Sequence, residues 1–168
     1  GLGDVYKRQT KYNSGFSREI PSTDGKQPQK QATADLVKID IVNPSGGEKE
    51  PVFQTVGQQL ISEDVFRVLT PAAPDSIKAM IARGDAMQPT ISDGDLIWVD
   101  VSIKTPTSDG LYLFALKGEV FVKRLQLDNF NHSAAIISDN PLYPPIGISK
   151  PDKLSTLGKV ISVTKIYR

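Results

Sequence analysis

The sequence has no cysteine. That excludes disulfides, thiolate metal sites and a cysteine nucleophile, and it fits a reducing compartment such as the cytoplasm. There is a single histidine, His132, within Asn129-Phe130-Asn131-His132-Ser133, a polar stretch that reads as a solvent-facing hairpin loop. A Ser-His-Asp triad therefore has no good candidate. No apolar run approaches the ~18 residues of a membrane span and no secretory signal is visible, so no membrane is expected among the partners. A strong excess of one charge is also missing, since the formal net charge is +1. Residues 1–34 hold six basic side chains against three acidic ones, which leaves residues 35–168 slightly acidic. That larger part lacks the basic footprint of a DNA-binding surface.

At 168 residues, the chain is expected to hold one domain with an extension. Residues 1–34 read as a flexible linker or tail, because only eight of them are apolar, too few for a core. The start at Gly1 rather than Met reads as that of a fragment or processed product, and residues 1–9 are open to an origin in cloning or sequencing. Leu36–Val42 alternates like a strand, and Asn43-Pro44-Ser45-Gly46-Gly47-Glu48 reads as a loop. Ser62 followed by Glu63 and Asp64 predicts a capped helix to Leu69, stapled by Ile61 and Phe66 and stopped by Pro71. Beyond it, 77–82, 96–101, 110–116, 119–125, 134–138 and 157–167 are apolar or β-branched runs separated by Gly, Pro, Asp and Asn, with a hairpin turn at Lys117-Gly118. The expected fold is mostly β, of short, largely antiparallel strands with one or two short helices.

The densest signal is Arg83-Gly84-Asp85-Ala86-Met87-Gln88-Pro89-Thr90, followed by Asp93-Gly94-Asp95. Downstream lie Val122-Lys123-Arg124-Leu125, Ser138-Asp139-Asn140-Pro141-Leu142-Tyr143-Pro144-Pro145 and Leu157-Gly158-Lys159-Val160. In this order the segments resemble the C-terminal peptidase domain of the LexA-like family: the SOS repressor LexA, phage CI-type repressors and the polymerase accessory protein UmuD. The likeness covers roughly residues 36–168. The departure is Ala86, which stands where the family carries its serine nucleophile. Type I signal peptidases share a similar serine-lysine motif but are membrane-anchored, which counts against them.

The chemistry accounts for the residue types. A serine hydroxyl needs a base to take its proton. Lysine can serve only as the neutral amine, so burial must lower its ordinary pKa of about 10.4. Strand parity puts Lys123 on one face with Phe121 and Leu125, which would desolvate it. An edge-strand lysine that discourages aggregation is the bland alternative. The active-site turn of Gly84, Asp85, Met87 and Pro89 would leave backbone N–H groups free to hold an oxyanion. By resemblance, Ala86 marks the nucleophile position and Lys123 the general base, so the chain is a peptidase fold unable to cut as written. Met87 reads as core packing, and Asp93 and Asp95 as turn formers rather than metal ligands. Neither a metal nor a cofactor is expected. The undegraded motif around Ala86 points to a deliberate substitution, with natural loss as the alternative.

The resemblance also implies a scissile bond in region 43–50, best matched by Gly46-Gly47, where glycines let the chain enter the site extended. An ordinary Pro-Ser-Gly-Gly turn is equally compatible. Family dimers pair through the C-terminal strand, here Val160, Ser162, Thr164 and Ile166 or the alternates Ile161, Val163, Lys165 and Tyr167, and parity leaves the two sets open. The implied function is the dimerisation and latent self-cleavage domain of a phage or prophage transcriptional repressor. Its partners would be a second copy, operator DNA through an N-terminal domain absent from this chain, and a RecA filament in the SOS response. The alternatives are a UmuD-like polymerase accessory subunit and a non-cleaving repressor module controlled by an antirepressor protein.

Overall fold

The computed structural model describes residues 35–45, 52–116, 118–149 and 155–167. The expected tail, 1–34, and the Gly46-Gly47 pair lie outside them. The described chain forms β1 (Leu36–Ser45), β2 (Val52–Ser62), helix α1 (Glu63–Leu69), a 3₁₀ turn (Pro74–Ser76), β3 (Ile77–Ile81), β4 (Leu96–Asp100), β5 (Gly110–Leu116), β6 (Glu119–Asp128), β7 (Ser133–Ile137), β8 (Ile146–Ile148) and β9 (Thr156–Thr164). The strands form one nine-stranded sheet, ordered β2-β1-β3-β4-β9-β5-β6-β7-β8. Neighbours are antiparallel except β1 and β3, which run parallel through Asp40↔Lys78 and Ile41↔Ala79. The expected mostly β, largely antiparallel fold is what forms.

The central strands are buried on both faces, and their period of two divides the core. Ile97 and Val99 of β4 join Met80, Met87, Ile91 and Leu113 in one cluster. Trp98, between them, joins Ile39, Phe66, Ile77 and Ala79 in a second. A third holds Tyr112, Phe114, Leu125, Ala134 and Ile136. Helix α1 caps as its sequence predicts: the Val65 N–H donates to Ser62 Oγ at 3.4 Å. Ile61 and Phe66 meet in the second cluster.

Three expectations are corrected. Asn43–Ser45 are strand, not loop, paired as Asn43↔Gln54, Pro44↔Phe53 and Ser45↔Val52. In an antiparallel ladder opposite residues alternate between bonded and non-bonded pairs, so a proline without an N–H can stay in register near a hairpin end. Strand β2 had no counterpart in the sequence reading. Its Gly57 and its glutamines obscure the pattern, and the ladder skips Val56 between Gly57↔Ile41 and Thr55↔Val42. Strand β9 ends at Thr164 rather than Tyr167, because Lys165 and Ile166 turn aside to bond Asp95.

Candidate active site

Between β3 and β4 the chain makes a turn tied at its base. The Ala82 N–H donates to Asp95 O at 2.8 Å and the Gly94 N–H to Ala82 O at 2.9 Å. Gly84 has φ +82, a left-handed conformation that favours glycine, and its N–H donates to Asp93 Oδ1 at 2.9 Å. Met87 and Ile91 are buried in the first cluster and pin the turn from beneath, so Met87 does pack as core. The Gln88 N–H donates to Asp85 O and the Ile91 N–H to Met87 O. None of the hydrogen bonds among the described residues uses the N–H of Ala86 or Met87. Asp93 and Asp95 serve the turn: besides Asp93's bond to Gly84, Asp95 accepts from Ser92 N–H, Lys165 Nζ and Ile166 N–H.

The bond to Lys165 and the backbone donors hold the Asp95 carboxyl down to about 2, against an ordinary value of about 3.9. A group depressed on folding stabilises the fold above its unfolded pKa, and that stabilisation fades as pH falls through the folded one. The Asp95 share of stability is thus expected to be complete above about pH 4 and lost toward pH 2. Urea unfolding at stepped pH should show Asp95→Asn with a shallower acid decline than the parent. An equal slope in the two chains would remove Asp95 from the acid response.

The segment after β7 closes over the turn. The Asn140 N–H donates to Ala86 O at 3.1 Å, its Nδ2 to Asp85 O at 3.1 Å, and the Tyr143 hydroxyl to Asp85 Oδ1 at 2.7 Å. Arg124 grips the neighbouring Asp139 with Nε and Nη2, each at 2.7 Å, a bidentate geometry. Lys123, half-buried in β6, sits under this segment. Its Nζ donates to Ser138 Oγ at 2.7 Å and lies 5.4 Å from the centre of the Tyr143 ring. Burial pushes the Lys123 amine below the ordinary lysine range, and the Asp85 carboxylate partly opposes this.

Ala86 and Lys123 line one pocket of about 190 Å³. Its walls include Met80, Leu113 and Val122. That volume is smaller than the roughly 300 Å³ at the low end of small-molecule sites. Asn43 and Pro44, from the hairpin end of β1, line it too. The pocket therefore brings together Ala86, Lys123 and the end of β1, just upstream in sequence of Gly46-Gly47. Phe121 lines the pocket and also packs against the third cluster, in which Leu125 is buried. His132 lies exposed in the turn between β6 and β7.

Neither set of interface residues expected on the last strand is wholly free. Val160 and Val163 pack against the first cluster and Ile161 against the second. The ladder pairs Trp98 with Ser162 but Val99 with Val160, and this irregularity breaks the parity on which the two sets were drawn. Thr164, Lys165, Ile166 and Tyr167 are exposed. The sequence reading gave no role to Ser138, Asp139, Asn140 and Tyr143. The signal for them was the hairpin register: a turn at 129–132 sets Arg124 opposite Ile137, hence Lys123 beside Ser138.

A family model described as "Peptidase S24-like" matches residues 41–161. The "26 kDa repressor protein" of Escherichia phage HK022 is 40% identical over 98 residues, covering 56% of this chain and 41% of that protein. An "Uncharacterized HTH-type transcriptional regulator" of Haemophilus influenzae is 32% identical over 128 residues, covering 74% of this chain and 52% of that protein. The chain thus spans about half, or less, of the length of these curated relatives.

Proposed function

We propose, from the premise that this chain belongs to the peptidase S24-like family, that it is the dimerising and latent self-cleaving part of a phage or prophage repressor, held inactive by Ala86. One observation carries the reading: position 86, Lys123 and the β1 end that leads to Gly46-Gly47 share one pocket. With serine at 86, the Oγ–H proton would pass to neutral Lys123 Nζ as Oγ bonds to the Gly46 carbonyl carbon. The N–H groups of residues 86 and 87, which take no part in the turn's own hydrogen bonds, would receive the oxyanion. The proton would then go to the Gly47 nitrogen as the peptide bond breaks. Water, with the same amine as base, would release the acyl group.

In a repressor, this cut separates a dimerising domain from DNA-binding domains. Two linked heads on a two-fold operator gain effective concentration, and cleavage removes it. The partners would be a second copy through the last strand, operator DNA through a domain outside this chain, and a RecA filament as trigger, in the cytoplasm. The relatives, a phage repressor and an HTH-type regulator, favour this over a UmuD-like accessory role. Ala86 itself favours a second reading, a non-cleaving repressor module released by an antirepressor protein.

The test is Ala86→Ser, incubated at alkaline pH alone and with activated RecA, with fragments weighed by mass spectrometry. A cut at Gly46-Gly47 that quickens as pH rises is expected. A chain intact under every condition would leave a dimerisation module whose peptidase fold is only a scaffold.

A further inference from the structure

The hydroxyl in contact with the Lys123 amine belongs to Ser138, a residue with no part in the chemistry set out above. It follows β7 directly and its backbone is anchored on the C-terminal side. Asp139 is gripped by the two-pronged Arg124 contact and Asn140 is bonded to the backbone oxygens of Asp85 and Ala86. Ser138 therefore sits in a short span fixed at once to β6 and to the catalytic turn. Both it and Lys123 are part-buried, so water competes weakly for their 2.7 Å bond.

The amine's geometry gives this bond a consequence. A neutral lysine nitrogen carries two N–H groups and one lone pair in a tetrahedral array, and the lone pair must face the hydroxyl it deprotonates. Free rotation about Cε–Nζ would spread it over several directions. One N–H committed to a fixed acceptor stops the rotation. We propose that Ser138 is a positioning residue for Lys123, its hydroxyl taking one N–H of the amine so that the lone pair points at a nucleophile carried at position 86. This rests on the reading of Lys123 as the base. Once the proton has transferred, the same oxygen accepts from the ammonium and stabilises it.

The other groups facing the amine are the Asp85 carboxylate, already engaged by the Tyr143 hydroxyl, and the Tyr143 ring. Arg124 and Asp139, the charged neighbours on β6 and after β7, are spent on each other. None of these changes in Ser138→Ala. Loss of the acceptor disfavours the ammonium, so Lys123 should titrate at lower pH.

The experiment measures self-cleavage against pH in Ala86→Ser and in the same chain with Ser138→Ala or Ser138→Thr. Ser138→Ala is expected to lower the high-pH plateau roughly 10- to 100-fold, the cost of a misaimed group, and to move the midpoint to lower pH. Ser138→Thr, which keeps the hydroxyl, should recover to within about twofold of the parent. A plateau and midpoint unchanged in Ser138→Ala would overturn the proposal, as would a lowered plateau that threonine does not rescue. Competitive acetylation of lysines with acetic anhydride, followed site by site by mass spectrometry in the Ala86 chain, tests the contact without any cleavage. A downward shift of the Lys123 titration in Ser138→Ala supports it and no shift overturns it. A silent Ala86→Ser chain in which that shift is present would count against the self-cleavage reading alone.

Discussion

Replacing Lys123 by methionine in the Ala86→Ser chain is expected to slow self-cleavage by about 10³-fold, the middle of the range for loss of a general base. Methionine keeps the length and apolar stem of the side chain and removes only the amine, so the Phe121 side of the pocket should stay packed. The pH profile is the sharper half of the prediction. Burial holds Lys123 below the ordinary lysine range, so the rate in the Lys123 chain should rise with pH and level off below about 10.4. The methionine chain should lose that sigmoid and keep only a slow, hydroxide-dependent background. Fragment yields by mass spectrometry over a pH series, with circular dichroism to confirm folding, measure both. Comparable cutting in the two chains would show that another group removes the serine proton. Lys123 would then be a structural lysine held by Ser138.

The largest expected effect on stability is at Gly158. A Cβ built there would lie 2.6 Å from the backbone oxygen of Asp100 and 2.6 Å from Val99 Cγ1, distances at which something must move. The obstruction is backbone of β4, the neighbouring strand, which cannot swing aside like a side-chain tip. Forcing a methyl group into such a seam costs about 3 kcal/mol, the upper end for overpacking. For a protein of this size that lowers Tm by roughly 6–12 °C. Gly147→Ala in edge strand β8 is the control, because nothing lies within 4 Å of a Cβ there. Thermal unfolding of the two variants beside the parent decides the matter. Equal melting would mean that β4 and β9 can part without cost.

Both sites show how far the sequence could be read. The turn around Ala86 was legible because its signals are local. Gly84 and Gly94 adopt positive φ, and Asp93 and Asp95 bond to amides within or beside the turn. Helix α1 was legible for the same reason, its cap and staple lying within a few residues of each other. Strand β2 was not. An edge strand with one exposed face needs no alternation strong enough to see, and its existence depends on β1 pairing with it. The expected loop at Asn43–Ser45 failed likewise: turn-forming residue types yield to a partner strand when one is present.

The sequence by itself determined the residue types available: an alanine at position 86, a lysine among apolar neighbours, and glycines placed for turns. It could do so because residue type, strand period and turn preference are fixed by neighbours along the chain. Only the tertiary structure decided that Ser138 holds Lys123, that Asn140 and Tyr143 fasten the turn, and that Asp95 anchors the end of the chain through Lys165 and Ile166. These contacts join residues from 15 to 71 positions apart. Their existence depends on register, and a single bulge, such as those at Val56 and Ile161, reverses which side chains meet.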